Sequence, residues 1–570
     1  MTPTGARRLA PGIAALVGAG LHAAIPRLID LPQRTSGAGL GPSLSTPGFT
    51  TIAILAAAGA VVSLGVRRIG GIIVGAAALT STFITVWEFA PLAWILPFTL
   101  IVPAVRLIAP DAPKTVDPAG RRSAIASIAV GAAIVWFAAL RPWRGEFTPT
   151  HPESDADPLR SPASWFWVGG VSSTSATITA GGLRLGTYGF SYWVENEPGG
   201  GSSVVQVDST GIARFELNDL RPDQQYEYLL VSLGGSSNQA SENSSGVLVQ
   251  TDETIQRFHT YPEGAADLTI AFASCARTGS NGAVFDAIRA TEPDLFVQLG
   301  DLHYGNLVST EPDDHIAVLG RSLSTPAQSA LYSSVPSAWV WDDHDFGDND
   351  SNSSSPSRDA VSVAYRAAVP HWDVDPDPAT PINQAFTVGR VRIVTCDTRS
   401  HRTANTMLGE AQEAWLINEI ITASQSHALV VWANPAPWNV PAANGTDQWG
   451  GFPEERRRIA NAIAEADITN LVMISGDWHT AAIDDGTNTS YADDGTPGFP
   501  LVHAAPLDRP GRALGAGQSF SHGVFTNAGQ FGTIRILDDG GPSIDVTLTA
   551  HLWTGEELGT LNYTVSNPVA

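Results

Sequence analysis

DLFVQLGDLHYGN, residues 294–306, is a nearly unbroken apolar run that stops abruptly at a glycine and an acid. A short run of this kind, with no polar face, reads as a strand covered on both sides. The groups capable of chemistry, Asp301 and Tyr304, follow immediately after it. Working outward, the same design recurs. LTIAFASC (268–275) ends at Cys275, and SAWVWDDHD (337–345) ends in Asp342, Asp343, His344 and Asp345. VRIVTCDT (391–398) and ALVVWANP (428–435) are two more apolar strands, and NLVMISGDWH (470–479) ends in Asp477 and His479. GAVFDAIRATEP (282–293), EAQEAWLINEIITAS (410–424) and PEERRRIANAIAEA (453–466) carry helical periodicity between them. The expectation over 255–570 is an α/β layered domain with its polar groups just past the C-terminal ends of strands, where open sheets place ligands.

Carboxylates, imidazoles, a phenol and a thiol at several strand ends suit two or more cations. Oxygen donors favour hard ions, and Cys, Tyr and His add affinity for transition metals. Without cations, apolar strands ending in acids would be expensive to bury.

The ordered series of Ser-Cys at 274–275, GDxxY at 300–304, WDDHD at 341–345, DTR at 397–399 and GDWH at 476–479 resembles the alkaline phosphatase D family, relatives of the purple acid phosphatases. The resemblance spans about residues 165–560. It implies a metallophosphoesterase fold, iron(III) with calcium as cofactors, and phosphate mono- or diesters as substrates. It implies Cys275, Asp301, Tyr304, Asp343, Asp477 and His479 as metal ligands, with Asp301 bridging. His344 would face the leaving group and Arg399 would contact phosphate. Related enzymes carry a further histidine after the fourth strand, where this chain has ANPAPWN (433–439). Asn434 or Asn349 is left to supply an oxygen there, and Asn434 joins Arg399 as an expected substrate contact. The cations would neutralise the ester and generate hydroxide at neutral pH to attack phosphorus in line.

Upstream, short alternating stretches such as SATITAGG (175–182), YGFSYWVEN (188–196) and FELNDLRPDQQYEYLLV (215–231) read as a fibronectin III-like β-sandwich over 164–254. A Pro-, Ser- and Asp-rich linker precedes it at 145–163. Residues 1–144 hold apolar runs near 9–25, 50–66, 69–90, 91–108 and 123–140. They are expected to form an all-α transmembrane bundle of about five helices. Arg7, Arg8, Arg67, Arg68, Lys114, Arg121 and Arg122 punctuate these runs. By the positive-inside rule the chain is then a multi-pass protein of the cytoplasmic membrane, a lipid bilayer its partner, with the catalytic domain extracytoplasmic.

Residues 1–150 carry eleven Arg and one Lys against five acids, so with the whole chain at −24 the remainder stands at −31. That acidity argues against nucleic-acid binding, which depends on neutralising phosphates. With two cysteines in the whole chain, a disulfide framework is excluded. The competing readings are a phospholipase or teichoic-acid-type phosphodiesterase on the same scaffold, and a non-catalytic anchored binding or sensor protein.

Overall fold

Aromatic and β-branched residues at alternate positions drive the first sheets. The computed structural model describes residues 163–234 and 255–568, apart from Asn281, Asn444 and Ala516, and these belong to one compact unit. Strands β1 (Trp165–Gly169), β2 (Ala176–Gly181), β3 (Gly186–Val194), β4 (Gly201–Val207), β5 (Ala213–Leu217), β6 (Gln225–Gly234) and β7 (Gln256–His259) form two sheets, ordered β1-β2-β5 and β4-β3-β6-β7. All their pairings are antiparallel. Phe190 of β3 stacks on Phe215 of β5 with ring centroids 4.1 Å apart, and Phe166 of β1 meets Tyr228 of β6 edge-on, so the two sheets face each other.

The remaining elements follow in chain order: β8 (Leu268–Ala273), α1 (Val284–Ala290), β9 (Leu295–Leu299), α2 (Pro312–Leu323), α3 (Pro326–Tyr332), β10 (Ser337–Val340), α4 (Asp343–Phe346) and α5 (Arg358–Ala368). After these come β11 (Gln384–Val388), β12 (Val391–Thr395), α6 (Glu410–Ser426), β13 (Leu429–Asn434), α7 (Pro453–Glu465), β14 (Leu471–Ser475), β15 (Ala481–Asp484) and β16 (Leu501–Ala504). The last four are β17 (Val524–Phe525), β18 (Gln530–Leu537), β19 (Ser543–Leu552) and β20 (Glu557–Ser566).

They build a six-stranded sheet, β10-β9-β8-β18-β19-β20, and a seven-stranded one, β11-β12-β13-β14-β16-β15-β17. In the first, β8, β9 and β10 run parallel; in the second, β12, β13, β14 and β16 do. Side-chain parity divides the second sheet between two cores. Val431, Ala433, Val472 and Ile474 share one core with Ile270, Val297 and Leu299 of the first sheet, which places the sheets face to face. Val430, Trp432 and Met473 point the other way, against Leu416 and Ile420 of α6 and Ile459 and Ile463 of α7.

Two expectations require correction. The described chain is β-rich, and its C-terminal part is three antiparallel strands rather than further strand–helix alternation. Nor does any helix among the described residues have the length and apolarity to cross a membrane. The longest, α6, has 17 residues and carries Glu410, Glu413 and Glu419. At about 1.5 Å per residue such a helix falls short of a ~30 Å hydrocarbon layer. The five apolar runs and the linker fall almost wholly on residues 1–162, outside those described.

Candidate metal centre

Parallel strands from both facing sheets end at one place, and their ends carry the reactive side chains. Cys275 leaves β8, Asp301 leaves β9, Asp342 and Asp343 leave β10, Asn434 closes β13 and Asp477 leaves β14. The ends are stitched together. The Cys275 N–H donates to the Gly300 carbonyl at 3.3 Å, and the Ala276 N–H to that of Asp301 at 2.7 Å. The Asp477 N–H donates across the sheets to Ser274 Oγ at 3.0 Å. A Cβ on Gly476 would sit 2.6 Å from Ser274 Oγ and 2.7 Å from the Leu299 carbonyl oxygen, so glycine is what permits the two strand ends to touch. The chain turns sharply there: Cys275, Asp301 and Asp477 adopt φ of 64°, 49° and 69°. Non-glycine residues in that region cost on the order of 1 kcal/mol each and cluster at functional sites.

Cys275, Asp301, Tyr304 and His479 form one contiguous set. Cys275 Sγ lies 3.6 Å from Asp301 Oδ2 and 3.3 Å from the Asp477 carbonyl oxygen. Tyr304 Oη lies 3.0 Å from His479 Nε2, and the His344 ring packs on Tyr304 at 4.2 Å between centroids. Asp343 sits on the short helix α4, which Asp342 and Asp345 close with a capping box. It belongs to two groups whose ligand atoms all lie within 4.8 Å of one another, Asp301–Asp343–His344 and Asp343–Asp350–Asp447. His344 turns Nδ1 to Asn306 Oδ1 at 2.6 Å.

The electrostatics call for cations. Burial pushes the Asp301 carboxyl well above the usual carboxylate range, and Asp343 and Asp342 add to the shift. Burial does the same to Asp477, again with Asp342 and Asp343 contributing. Burial and then Asp301 and Asp477 raise the Cys275 thiol, while burial and then Asp301 raise the Tyr304 phenol. Burial, with Arg509 close by, pulls His479 down to about 4. Burial opposes ionisation of Asp343 too, yet Arg399, His344 and the N–H groups of Asp350 and His344 outweigh it and leave that carboxyl below its ordinary value. Asp301 Oδ1 and Asn434 Oδ1 are enclosed with no hydrogen-bond donor. Buried acceptors without donors beside neutralised acids, a thiol and a phenol are what a multivalent cation would satisfy, so the residues fit a metal cluster.

Two residues expected to contact substrate are enclosed. Arg399 is 0 % exposed, its guanidinium held among carboxylates. Its Nε donates to Asp342 at 2.6 Å, and Nη1 and Nη2 donate to the two oxygens of Asp447 at 2.9 and 2.8 Å. Asn434 is also 0 % exposed, its Nδ2 donating to the Ala436 carbonyl at 2.8 Å. Its free oxygen suits an enclosed cation rather than an incoming ester. Asn349 lies on the exposed side of the loop after α4, with its N–H on Asp348. Sequence reasoning missed Asp350, Asp447, Asn306 and Arg509. Asp350 lay within the acid-rich WDDHDFGDND, a usable signal; the other three stand in loops with no pattern to mark them.

Residues 270–512 match the family described as PhoD-like phosphatase. Alkaline phosphatase D of Bacillus subtilis (strain 168) is 26% identical over 270 residues, 38% of this chain and 46% of that protein. The chain thus spans about half the length of the curated relative it matches. A solved structure of PhoD superposes with a TM-score of 0.55 at 16% identity, covering 73% of this chain and 92% of that one; the likeness is one of fold. A purple acid phosphatase from yellow lupin (Lupinus luteus) seeds gives 0.48 at 10% identity, over 71% and 74%.

Proposed function

We propose that this chain, through its PhoD-like phosphatase domain, hydrolyses phosphoric ester bonds at a cluster of cations. The observation that carries the reading is the joining of Cys275, Asp301, Tyr304 and His479 within hydrogen-bonding or near-contact distance, although they follow three separate strands. Cys275, Tyr304 and His479, with Asp301, form the side suited to iron(III). Asp343, Asp477 and Asn434, with Asp350 and Asp447, offer the oxygen donors that calcium takes. Such cations, when bound, neutralise the anionic ester and acidify water.

The protein's own part is positional. Asp301, held in its turn by the Ala276 N–H on its carbonyl, would offer its carboxylate, whose Oδ1 has no hydrogen-bond donor, to such cations. Arg399 fixes Asp342, and through the capping box it fixes the helix that bears Asp343 and His344. His344, with Nδ1 engaged by Asn306, presents Nε2 as the atom that exchanges a proton with the departing alcohol. Burial lowers this imidazole below its ordinary value, Arg509 and Arg399 adding to the effect against Asp343.

Nitrophenyl phosphate and bis-nitrophenyl phosphate are the test substrates. Turnover by the wild type is expected to be lost on chelation and restored by metal. Asp477→Ala or Asp301→Ala should lose more than the roughly 10–100-fold that changes around metal ligands cost, with metal content falling in step. Wild-type turnover from both variants would defeat the assignment.

A further inference from the structure

Beside bound cations, a guanidinium of the protein can grip phosphoryl oxygens, and Arg399 is enclosed by its own carboxylates. The loop between β16 and β17 supplies another. Arg509 lies with Cζ 3.6 Å from the centroid of the Tyr304 ring. Its Nε is buried without a hydrogen-bond partner, and among the described residues no carboxylate forms an ion pair with it. A buried guanidinium nitrogen without an acceptor is costly unless an anion completes it.

The neighbours of Arg509 hold it in place. The Ala505 N–H donates to the Thr480 carbonyl at 3.2 Å, and the Leu507 N–H to that of Ser274 at 3.0 Å. Asp508 accepts from the Arg277 N–H at 2.5 Å and from the Ser280 hydroxyl. The Arg512 N–H donates to the His479 carbonyl at 2.6 Å. The loop is therefore tied on one side to the strand end that bears Cys275 and on the other to the one that bears His479. Arg509 is fixed against the ligand Tyr304, which itself touches both His344 and His479. Planar guanidinium groups held in this way bind phosphoryl oxygens in pairs.

We propose that Arg509 is the phosphoryl clamp: seated over the Tyr304 ring, it donates to the non-bridging oxygens of an ester seated beside Tyr304, His344 and His479. This rests on the phosphoesterase reading, which it deepens by naming the residue that grips the transferred group.

The test uses Arg509→Met and Arg509→Lys in the full, metal-loaded chain. Metal content, calorimetric binding of inorganic phosphate, and kcat and KM for nitrophenyl phosphate are measured. For Arg509→Met, metal content should be unchanged, phosphate binding about 10²-fold weaker and kcat/KM about 10²–10³-fold lower. Arg509→Lys should lie between, because it keeps charge without the fork, and it serves if the Met variant does not fold. Phosphate binding within threefold of wild type in both variants overturns the proposal. So does loss of metal, which would make Arg509 a support for Tyr304 instead. If the wild type turns over no ester yet binds phosphate through Arg509, the hydrolase reading fails and the clamp stands. If turnover is normal in both variants, the reverse holds.

Discussion

Arg399 carries a full positive charge at a position closed to water, between Asp342 and Asp447. Removing one member of such an arrangement leaves buried charge uncompensated, which typically costs about 3–5 kcal/mol. Arg399→Met should therefore lower the unfolding free energy by that much, read from the urea midpoint and slope on metal-loaded protein. Because Asp342 caps the helix carrying Asp343 and His344, metal affinity should fall with it. An unchanged midpoint would show that Asp342 and Asp447 find other partners. The same residue marks how far side chains were legible. Cys275, Asp301, Tyr304, Asp343 and His479 could be read because each follows an apolar strand, where burial makes an ionisable group conspicuous. Arg399 also follows such a strand, and the family resemblance implied a phosphate contact there. Nothing local foretold that Asp447, 48 residues further on, would close over it. Arg509 was illegible for the opposite reason: it follows four loop residues past the end of β16, with no strand parity to give it direction.

Elements converge here only where backbone can touch backbone. Gly300 has φ of +80°, and a Cβ there would lie 2.3 Å from that of Asp342. Gly300→Ala would face both the left-handed penalty and a steric clash, together about 2–4 kcal/mol. It should push the ends of β9 and β10 apart, lowering metal occupancy as well as thermal stability. Full metal content in a folded Gly300→Ala protein would mean the strand ends tolerate separation. β9, β13 and β14 were legible as elements because continuous apolar runs have few other uses. β18, β19 and β20 were not read. In β19 and β20 exposed polar residues interrupt the buried ones, and β20 is largely open to solvent. Such weak patterns acquire meaning only through partners, and β18 finds its partner in β8, far upstream.

Across the molecule, burial of neutral imidazoles ties stability to pH. His503 is enclosed beside the centre, its Nε2 donating to the Trp478 carbonyl at 2.8 Å, and burial pulls it down to about 4. The unfolded chain, with an ordinary value near 6.5, takes up the proton first. Stability linked to His503 is thus fully present above about 6.5 and is lost as pH falls toward about 4, amounting to ~2 kcal/mol by pH 5. His503→Gln retains an N–H donor without a titrating ring. Its urea midpoint should fall less between pH 7 and 5 than that of the wild type; equal falls would place the proton elsewhere. At this scale the strand ends were readable as one site, but the arrangement of the sheets was not, because long-range pairing leaves no local trace. That pairing also bears on synthesis. Residues 268–272 are flanked by β9 on one side and by residues 532–536 on the other. A nascent chain leaves the ribosome with every proposed ligand already translated, yet the floor beneath Cys275 stays open until β18 has emerged. Truncated products ending before Gln530 would keep all the chemistry of the centre and expose a bare sheet edge, an invitation to aggregate or be degraded.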